Sequence, residues 1–362
     1  MRKISLAFGA VSLIGACSAA VAAPPFGVQT VATGLDNPWA MTFLPDGRGL
    51  ITEKTGKIRL LSLTGTLSAP LAGVPAVAYG GQGGLLDIEI DPFFKQDRWI
   101  YISYSEPASG GKSALAVARA KFTNDKFGPF TVIWRNQPTT GGHFGARLAF
   151  TRKYELFVTT GERQQFTPAQ NTGGTLGKIV RLSFAGSPKA GNPFEKNPAY
   201  KPEIWTLGHR NPYGLAFDPA TGLLWSHEMG PKGGDELNLI VKGKNYGWPN
   251  VSNGSNYDGT DIPDHAPGDG FEAPKRWWNP SISPAGMIFY TGDLFPAWKG
   301  HILMGALSGE ALLDITVAGT SATGETRHPM NARIREVQQG PDGSVYVLTD
   351  GDGGKVLRLT PN

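Results

Sequence analysis

The chain has 362 residues, and 40% of them are hydrophobic, which is enough for a substantial core. Its 49 glycines and 28 prolines indicate many turns, and long stretches of helical periodicity are missing from the sequence. Lys and Arg are scattered and the formal net charge is only +4, which argues against a nucleic-acid-binding groove.

The first predicted element is an export signal over residues 1–22, where two basic residues precede an apolar run and then small residues. This pattern predicts cleavage on maturation and a periplasmic location, not a membrane span. Residues 20–22, Ala-Val-Ala, have the form that a general signal peptidase cuts, and we favour that exit. The alternative is a lipoprotein box at residues 14–17, in which Cys17 would carry a lipid anchor. Cys17 is the only cysteine, so the mature protein has no disulfide.

A repeated phrase dominates the remaining residues, 23–362. Each copy reads as a short strand, a turn rich in Pro, Asp or Gly, and a second apolar strand. Successive copies begin roughly 45 to 75 residues apart, which leaves room for four strands in each unit. The copies are residues 38–54, 84–105, 145–162, 212–230, 284–307 and 335–353.

The repeats predict an all-β fold, a six-bladed β-propeller of four-stranded antiparallel blades. One such sheet cannot bury both of its faces, so each blade stacks on its neighbours and the ring must close. Residues 27–35 and 355–361 are natural partners for joining the chain ends in one blade. The alternative is a pair of β-sandwiches divided near residue 190, where residues 190–202 have a linker-like composition. We predict one propeller domain over residues 23–362.

In a propeller the first two strands of each blade line a central channel. Polar side chains lie in short, often glycine-rich stretches just before or after these hairpins, which places them at one end of that channel. An Asn, a Gln, a His and three Arg that converge there would be costly to desolvate without a partner. Guanidinium groups bind carboxylates with two hydrogen bonds, so the expected ligand is polyanionic, planar or both. The stretches are 80–84 with Gln82, 141–145 with His143, 208–211 with Arg210 and Asn211, 227–231, Arg333 with Arg335, and Asp350.

Each of these residues also has a plainer structural interpretation. Gln82 fits a turn residue and His143 a neutral structural histidine. Arg333 and Arg335 share one face of a strand, and such a face is commonly salt-bridged. Residues 350–353, Asp-Gly-Asp-Gly, suggest a calcium loop, but the later ligands of an EF-hand do not follow, which favours a turn. The shared position within the repeats favours a common site.

Six motifs resemble those of the soluble PQQ-dependent glucose/aldose sugar dehydrogenase family. The resemblance implies a six-bladed propeller that binds pyrroloquinoline quinone (PQQ) with Ca2+ over the channel mouth. It also implies oxidation of aldose sugars at C1 to lactones by hydride transfer to the quinone. Electrons would pass to an external acceptor, and the protein would be a monomer or a homodimer. The motifs are residues 80–87, 142–148, 207–216, 227–238, 245–249 and 334–337.

The resemblance further implies a role for each site residue. His143 would be the general base, and a neutral imidazole with a pKa near ~6.5 suits that task near neutral pH. Arg210 would lie beside the reacting quinone carbonyl, and Ca2+ would be held by the backbone carbonyls of Gly230 and Pro231. The other cofactor contacts would be Gln82, Asn211, Arg333, Arg335 and Asp350.

Three positions depart from the family pattern. Gly142 stands where the glucose-specific branch has an aspartate, and Met229 stands where a polar residue is usual. Ser308 stands where a cofactor-binding lysine is common. The first change removes a partner that would orient His143, and the last removes a cation from the site. The loss of the cation predicts weaker binding of a tricarboxylate.

Two further features lie ahead of the fifth copy. Trp277 and Trp278 stand near where the family places aromatic residues against the substrate, and a sugar face stacks well on an indole. Packing within a blade is the alternative for this pair. Residues 255–270 form a long polar insertion, either a loop that shapes the substrate cleft or a second calcium site.

These residues are compatible with three functions, and a PQQ-dependent sugar dehydrogenase is the leading one. A lactonase-like hydrolase on the same fold needs several carboxylates around one channel calcium, and a set dominated by Arg and Gln argues against it. A propeller that binds PQQ or sugar with little or no catalysis is encouraged by Gly142 and Ser308. His143, Arg210 and residues 230–231 together favour catalysis.

Overall fold

The structure is a computed structural model that describes residues 25–362. The export signal predicted at residues 1–22 and the possible anchor at Cys17 lie outside the described residues. In the part of the chain that is described, no helix has the length and apolar character needed to cross a membrane. That part is mostly β-structure, with one short α-helix, α1 (Phe94–Asp97). Single 3-10 turns occur at Ser109–Gly111, Thr167–Ala169 and Pro296–Trp298.

Six antiparallel sheets form the blades of a β-propeller, here numbered in chain order. β1 (Phe26–Asp36) belongs to blade 6, and blade 1 contains β2 (Pro38–Phe43), β3 (Gly49–Glu53) and β4 (Lys57–Leu61). Blade 2 contains β5 (Leu85–Ile90), β6 (Trp99–Pro107), β7 (Ser113–Thr123), the short β8 (Lys126–Phe127) and β9 (Thr131–Arg135). Blade 3 contains β10 (Gly145–Thr151), β11 (Glu155–Thr160), β12 (Lys178–Ser183) and β13 (Ile204–Leu207).

The second half of the chain continues the pattern. Blade 4 contains β14 (Pro212–Phe217), β15 (Leu224–Glu228), β17 (Asp235–Ile240) and β19 (Arg276–Trp278). A separate ribbon pairs β16 (Lys232–Gly233) with β18 (Gly254–Ser255). Blade 5 contains β20 (Pro284–Phe289), β21 (Ile302–Ala306), β22 (Ala311–Ala318) and β23 (Ser321–Pro329). Blade 6 contains β24 (Ile334–Gln339), β25 (Val345–Thr349) and β26 (Asp352–Pro361).

The first strand of every blade lies at the inner edge of its sheet. These inner strands, β2, β5, β10, β14, β20 and β24, each contact the inner strands of both neighbouring blades, so that they form a closed ring. The six predicted hairpins are the inner two strands of the six blades, which confirms the propeller. A closed ring of this kind also rules out the pair of β-sandwiches.

The two ends of the described chain close the ring inside blade 6, as the sequence predicts. β1 pairs antiparallel with β26, from Phe26 opposite Pro361 to Asp36 opposite Asp352. The predicted number of four strands per blade is wrong for two blades, because among the described residues blade 1 has three strands and blade 2 has five. Apolar clusters fill all six interfaces between neighbouring blades, so each sheet buries both faces.

Each inner strand carries a β-bulge near its start. The pairing register shifts between Pro38 and Ala40 in blade 1 and between Pro212 and Gly214 in blade 4, and the other four blades have the same shift. A bulge bends its strand and re-aims the side chains beside it. All six bulges therefore lie at the channel end where the candidate site residues begin.

A buried ionic cluster lies inside the channel. Arg147 pairs with Asp87 at 3.0 Å and with Glu336 at 2.5 Å. Its guanidinium lies 4.2 Å from the centroid of the Trp39 ring, and its Nε donates to the Tyr213 carbonyl at 2.8 Å. Burial raises the pKa of Glu336 to about 7, although attraction to Arg147 opposes the shift.

This raised pKa predicts a pH-dependent stability. Because the folded state holds the Glu336 proton more tightly, the group stabilises the fold fully below about pH 4.5, and the contribution is lost as the pH rises through about 7. Glu336→Gln cannot ionise, so between about pH 5 and pH 8 the free energy of unfolding should fall in the wild type relative to the variant, by on the order of 3 kcal/mol. Urea unfolding of both proteins across that range measures the difference. Parallel stability curves would contradict the shift.

Candidate active site

Two adjoining cavities open at the end of the central channel where the inner strands begin. This end of the channel is called the mouth. Their volumes are about 320 Å³ and about 570 Å³, and Gln82, Met229 and Ser283 line both. The lining residues come from all six blades, and most lie just before an inner strand or just after the strand that follows it. A still larger cavity of about 650 Å³ lies at the other end of the channel and lacks these polar residues.

His143 is buried in the wall of the larger of the two mouth cavities, and a carboxylate holds its ring. Its Nδ1 lies 2.6 Å from Glu162 Oε1, while Glu162 Oε2 accepts from the backbone N–H groups of Gln165 and Phe166. Because the carboxylate accepts, Nδ1 carries the hydrogen and Nε2 keeps a lone pair. Burial lowers the pKa of His143, the bond to Glu162 opposes this, and the charge of Arg210 adds to it. The geometry suits a neutral imidazole that can take up a proton.

Glu162 was not singled out in the sequence, although it fills the orienting position that Gly142 leaves open. It follows β11, the strand that pairs with the strand directly behind His143. A Cβ on residue 161 would lie 2.0 Å from the His143 carbonyl oxygen, so only Gly161 allows this close approach. A carboxylate at the end of the partner strand is the sequence signal that could have identified it.

Gln82 lies between the two mouth cavities and links three blades. Its Oε1 accepts from His143 N at 2.9 Å, from the Tyr213 hydroxyl at 3.0 Å and from Asn211 Nδ2 at 3.3 Å. The oxygen is fully engaged, so Nε2 is the end left to donate to a ligand. Asn211 is fully buried, lines neither cavity and also accepts from Gly145 N at 3.2 Å. Asn211 therefore holds Gln82 in place, and its contact with the ligand stays a prediction.

Arg210 precedes the inner strand of blade 4 and contacts the turn that follows the second strand of the same blade. Its Nη1 donates to the carbonyls of Met229 at 2.9 Å and Gly230 at 2.8 Å, and its backbone N–H donates to Glu228 Oε2 at 2.5 Å. Its guanidinium lies 5.3 Å from the centroid of the Trp248 ring. The buried Nε has no hydrogen-bond partner among the described residues. Arg210 is thus held rigidly with one donor unused, and a buried unused donor is costly unless a ligand accepts from it.

Gly230 and Pro231 line the larger mouth cavity, as a carbonyl-based cation site requires. The turn is fixed because Gly230 N donates to Asp235 Oδ1 at 2.9 Å. Carbonyl oxygens suit Ca2+, but two of them do not complete its shell of six to eight ligands. Further oxygens would have to come from a bound ligand. Within residues 25–362 no three His, Cys, Asp or Glu side chains converge in a metal-binding geometry.

The smaller mouth cavity has a cationic lining. Arg333 Nε donates to Asp350 Oδ2 at 3.0 Å and Arg335 Nε donates to Asp350 Oδ1 at 2.9 Å, so the two arginines do share a salt-bridged face. Lys54 lines the same cavity and adds a third positive charge. Three cations against one carboxylate leave a net positive charge that suits a polyanion.

The tryptophan pair does not line the mouth. Trp278 is buried between blades 4 and 5 and its Nε1 donates to Glu325 at 2.8 Å, so the structure gives it the packing role. Trp277 is 51% exposed and lines neither mouth cavity. Tyr257, from the long polar insertion, does line the larger cavity, and its hydroxyl accepts from Arg210 Nη2 at 3.3 Å.

The sequence pattern of the family described as glucose / sorbosone dehydrogenase matches residues 35–358. The chain belongs to this family. It is 43% identical over 365 residues to aldose sugar dehydrogenase YliI of Escherichia coli (strain K12), and the match covers 98% of both chains. The match therefore covers the whole propeller, including the mouth.

Two solved structures of aldose sugar dehydrogenases share the fold of this chain. The apo-form of the soluble aldose sugar dehydrogenase from Escherichia coli superposes with a TM-score of 0.90 at 41% identity, covering 93% of this chain and 100% of that one. The PQQ-bound form of an aldose sugar dehydrogenase from Streptomyces coelicolor has a TM-score of 0.76 at 28% identity, covering 94% and 100%. The family resemblance predicted from the motifs is confirmed, and the chain is a homologue of PQQ-dependent aldose sugar dehydrogenases.

Proposed function

We propose that this protein is a PQQ- and Ca2+-dependent aldose sugar dehydrogenase that oxidises sugars at C1 to lactones. The observation that carries the proposal is the His143–Glu162 pair, joined at 2.6 Å beside a cavity with a net positive lining. The names of the relatives support the sugar and the cofactor. The signal-like residues 1–22 support export to the periplasm, where electrons would pass to an external acceptor.

The residues present fit a planar tricarboxylate. Arg333, Arg335 and Lys54 supply positive charge, while Gln82 Nε2 and the buried Nε of Arg210 supply unused donors. When bound, PQQ would supply the redox chemistry as the hydride acceptor. The carbonyls of residues 230 and 231 would contribute oxygen ligands to Ca2+, and Gly230 would use the lone pair that Arg210 Nη1 leaves free.

The side chains of the protein itself then account for the proton transfer. His143 Nε2 accepts the proton of the C1 hydroxyl, and Glu162 keeps the ring in the required tautomer and stabilises the imidazolium that forms. Arg210 stabilises negative charge that develops beside its guanidinium, at little reorganisation cost because two carbonyls already hold it. Tyr257 lines the same cavity, and its hydroxyl accepts from Arg210 Nη2.

A propeller that binds PQQ or sugar without catalysis is the second candidate. It is favoured by Ser308, which lines the mouth where a cation is common in the family and instead shares a 2.8 Å hydrogen bond with Ser283 Oγ. The His143–Glu162 pair argues against it, because simple binding does not require an oriented base.

Reconstitution of the purified apoprotein tests the proposal. We expect dye reduction with glucose or another aldose only after both PQQ and Ca2+ are added, because PQQ would supply the redox chemistry and Ca2+ would help to balance its negative charge. Tight PQQ binding without turnover on a panel of aldoses would favour the binding propeller. Failure of the folded protein to bind PQQ in the presence of Ca2+ would contradict the proposed function.

A further inference from the structure

Lys54 lies just after the second strand of blade 1, at the same end of the channel as His143 and Arg210. Its Nζ donates to the Gly81 carbonyl at 2.7 Å and lies 5.9 Å from the centroid of the Tyr79 ring. The ammonium therefore stands beside Gln82, at the edge of the smaller mouth cavity. It is the one lysine that lines this cavity among the described residues.

The backbone of Lys54 is fixed from two sides. Its N–H donates to the Asn37 carbonyl at 2.9 Å, and its carbonyl accepts from Leu85 N at 3.0 Å. A Cβ on residue 84 would lie 2.2 Å from that carbonyl oxygen, so Gly84 is what allows blades 1 and 2 to approach here. The Lys54 side chain therefore extends from a rigidly held backbone, as is expected of a binding residue.

The charge of Lys54 is not balanced locally. Lys54 makes no ion pair with any residue in the range 25–362, and Asp350, the carboxylate that attracts it, already pairs with Arg333 and Arg335. Burial lowers the pKa of Lys54 and repulsion from Arg335 lowers it further, while Asp350 opposes both. A half-buried ammonium beside two arginines is unfavourable unless an anion joins them.

Ser308 lines the larger mouth cavity and carries no charge, although the family commonly has a lysine at its position. Its hydroxyl bonds to Ser283 Oγ and to the Ser281 carbonyl at 3.3 Å. We propose that Lys54 binds a carboxylate of the planar polyanion at the mouth, together with Arg333 and Arg335, so that blade 1 supplies the cation that is missing at Ser308. The inference rests on the proposed function, since PQQ is the polyanion in question.

Binding of PQQ to the Ca2+-supplemented apoprotein, followed by calorimetry, tests this role separately from catalysis. Lys54→Met keeps the length of the side chain without its charge, and we expect its Kd for PQQ to rise about 10- to 100-fold because a charge-assisted hydrogen bond is lost. Lys54→Arg should recover most of the affinity. The difference between wild type and Lys54→Met should shrink as the salt concentration rises.

Lys57→Met is the matched control. Lys57 lies three residues further on, pairs with Asp36 at 2.8 Å and lines neither mouth cavity, so its loss should leave the Kd unchanged. Equal Kd values for wild type and a folded Lys54→Met protein would refute the role of Lys54 and leave the proposed function standing. Absence of PQQ binding by the wild type would refute the proposed function itself. If thermal unfolding shows that Lys54→Met is not folded, Lys54→Gln carries the same comparison.

Discussion

A His143→Ala variant is expected to lose sugar-dependent dye reduction by about 2–4 orders of magnitude and to keep its affinity for PQQ. Among the described residues that line the mouth, the imidazole is the one group that combines a lowered pKa, an oriented ring and a free nitrogen. Its loss removes the base without removing any cation of the smaller cavity. Steady-state rates with glucose and calorimetric Kd values for PQQ, measured on the same preparations, separate the two effects.

His301→Ala is the matched control for this substitution. His301 Nδ1 also lies 2.6 Å from a carboxylate, Asp314, but the pair belongs to blade 5 and lines neither mouth cavity. Its removal should leave the rate close to that of the wild type. In the wild type, activity should fall as the pH drops through the lowered pKa of His143, because the protonated ring cannot accept a proton. Near-wild-type rates for His143→Ala would remove this residue from the mechanism.

The blades could be predicted from the sequence because each repeat is a local hairpin. Asp46 and Asp342 show why the turns are readable, since each side chain accepts from the backbone two residues on, at 3.1 Å in both turns. The partnership of β1 with β26 followed from ring closure alone. The three strands of blade 1 could not be predicted, because the spacing of repeats leaves room for a strand without requiring one.

The position of the site could also be predicted, but not the task of each residue in it. Gln82 and Asn211 are 129 residues apart, and only the assembled ring shows that one rests on the other. The bulge in each inner strand decides which side chains face the cavity, and strand periodicity does not reveal it. Lys54 and Glu162 were missed for a related reason, since both follow second strands that read simply as apolar repeats.

Arg147→Met is expected to lower the free energy of unfolding by about 3–5 kcal/mol, because it leaves Asp87 and Glu336 buried without their shared cation. The loss should be largest above about pH 7, where Glu336 would ionise, and smaller near pH 5, where it holds a proton. Urea unfolding of wild type and variant at the two pH values measures both effects. Arg135→Met is the control, because its pair with Glu106 is more exposed and is worth at most about 1 kcal/mol.

The physical reason can be tested further by removing the acids as well. Arg147→Met combined with Asp87→Asn and Glu336→Gln removes both carboxylates that pair with Arg147, so part of the lost stability should return. This variant also carries the test if the single variant does not fold. Recovery would show that the arginine neutralises the channel acids, whereas an equal loss in both variants would point to its stacking on Trp39, 4.2 Å away. Because Trp39 lines the smaller mouth cavity, the stacking outcome would tie the stability of the channel to the cofactor site above it.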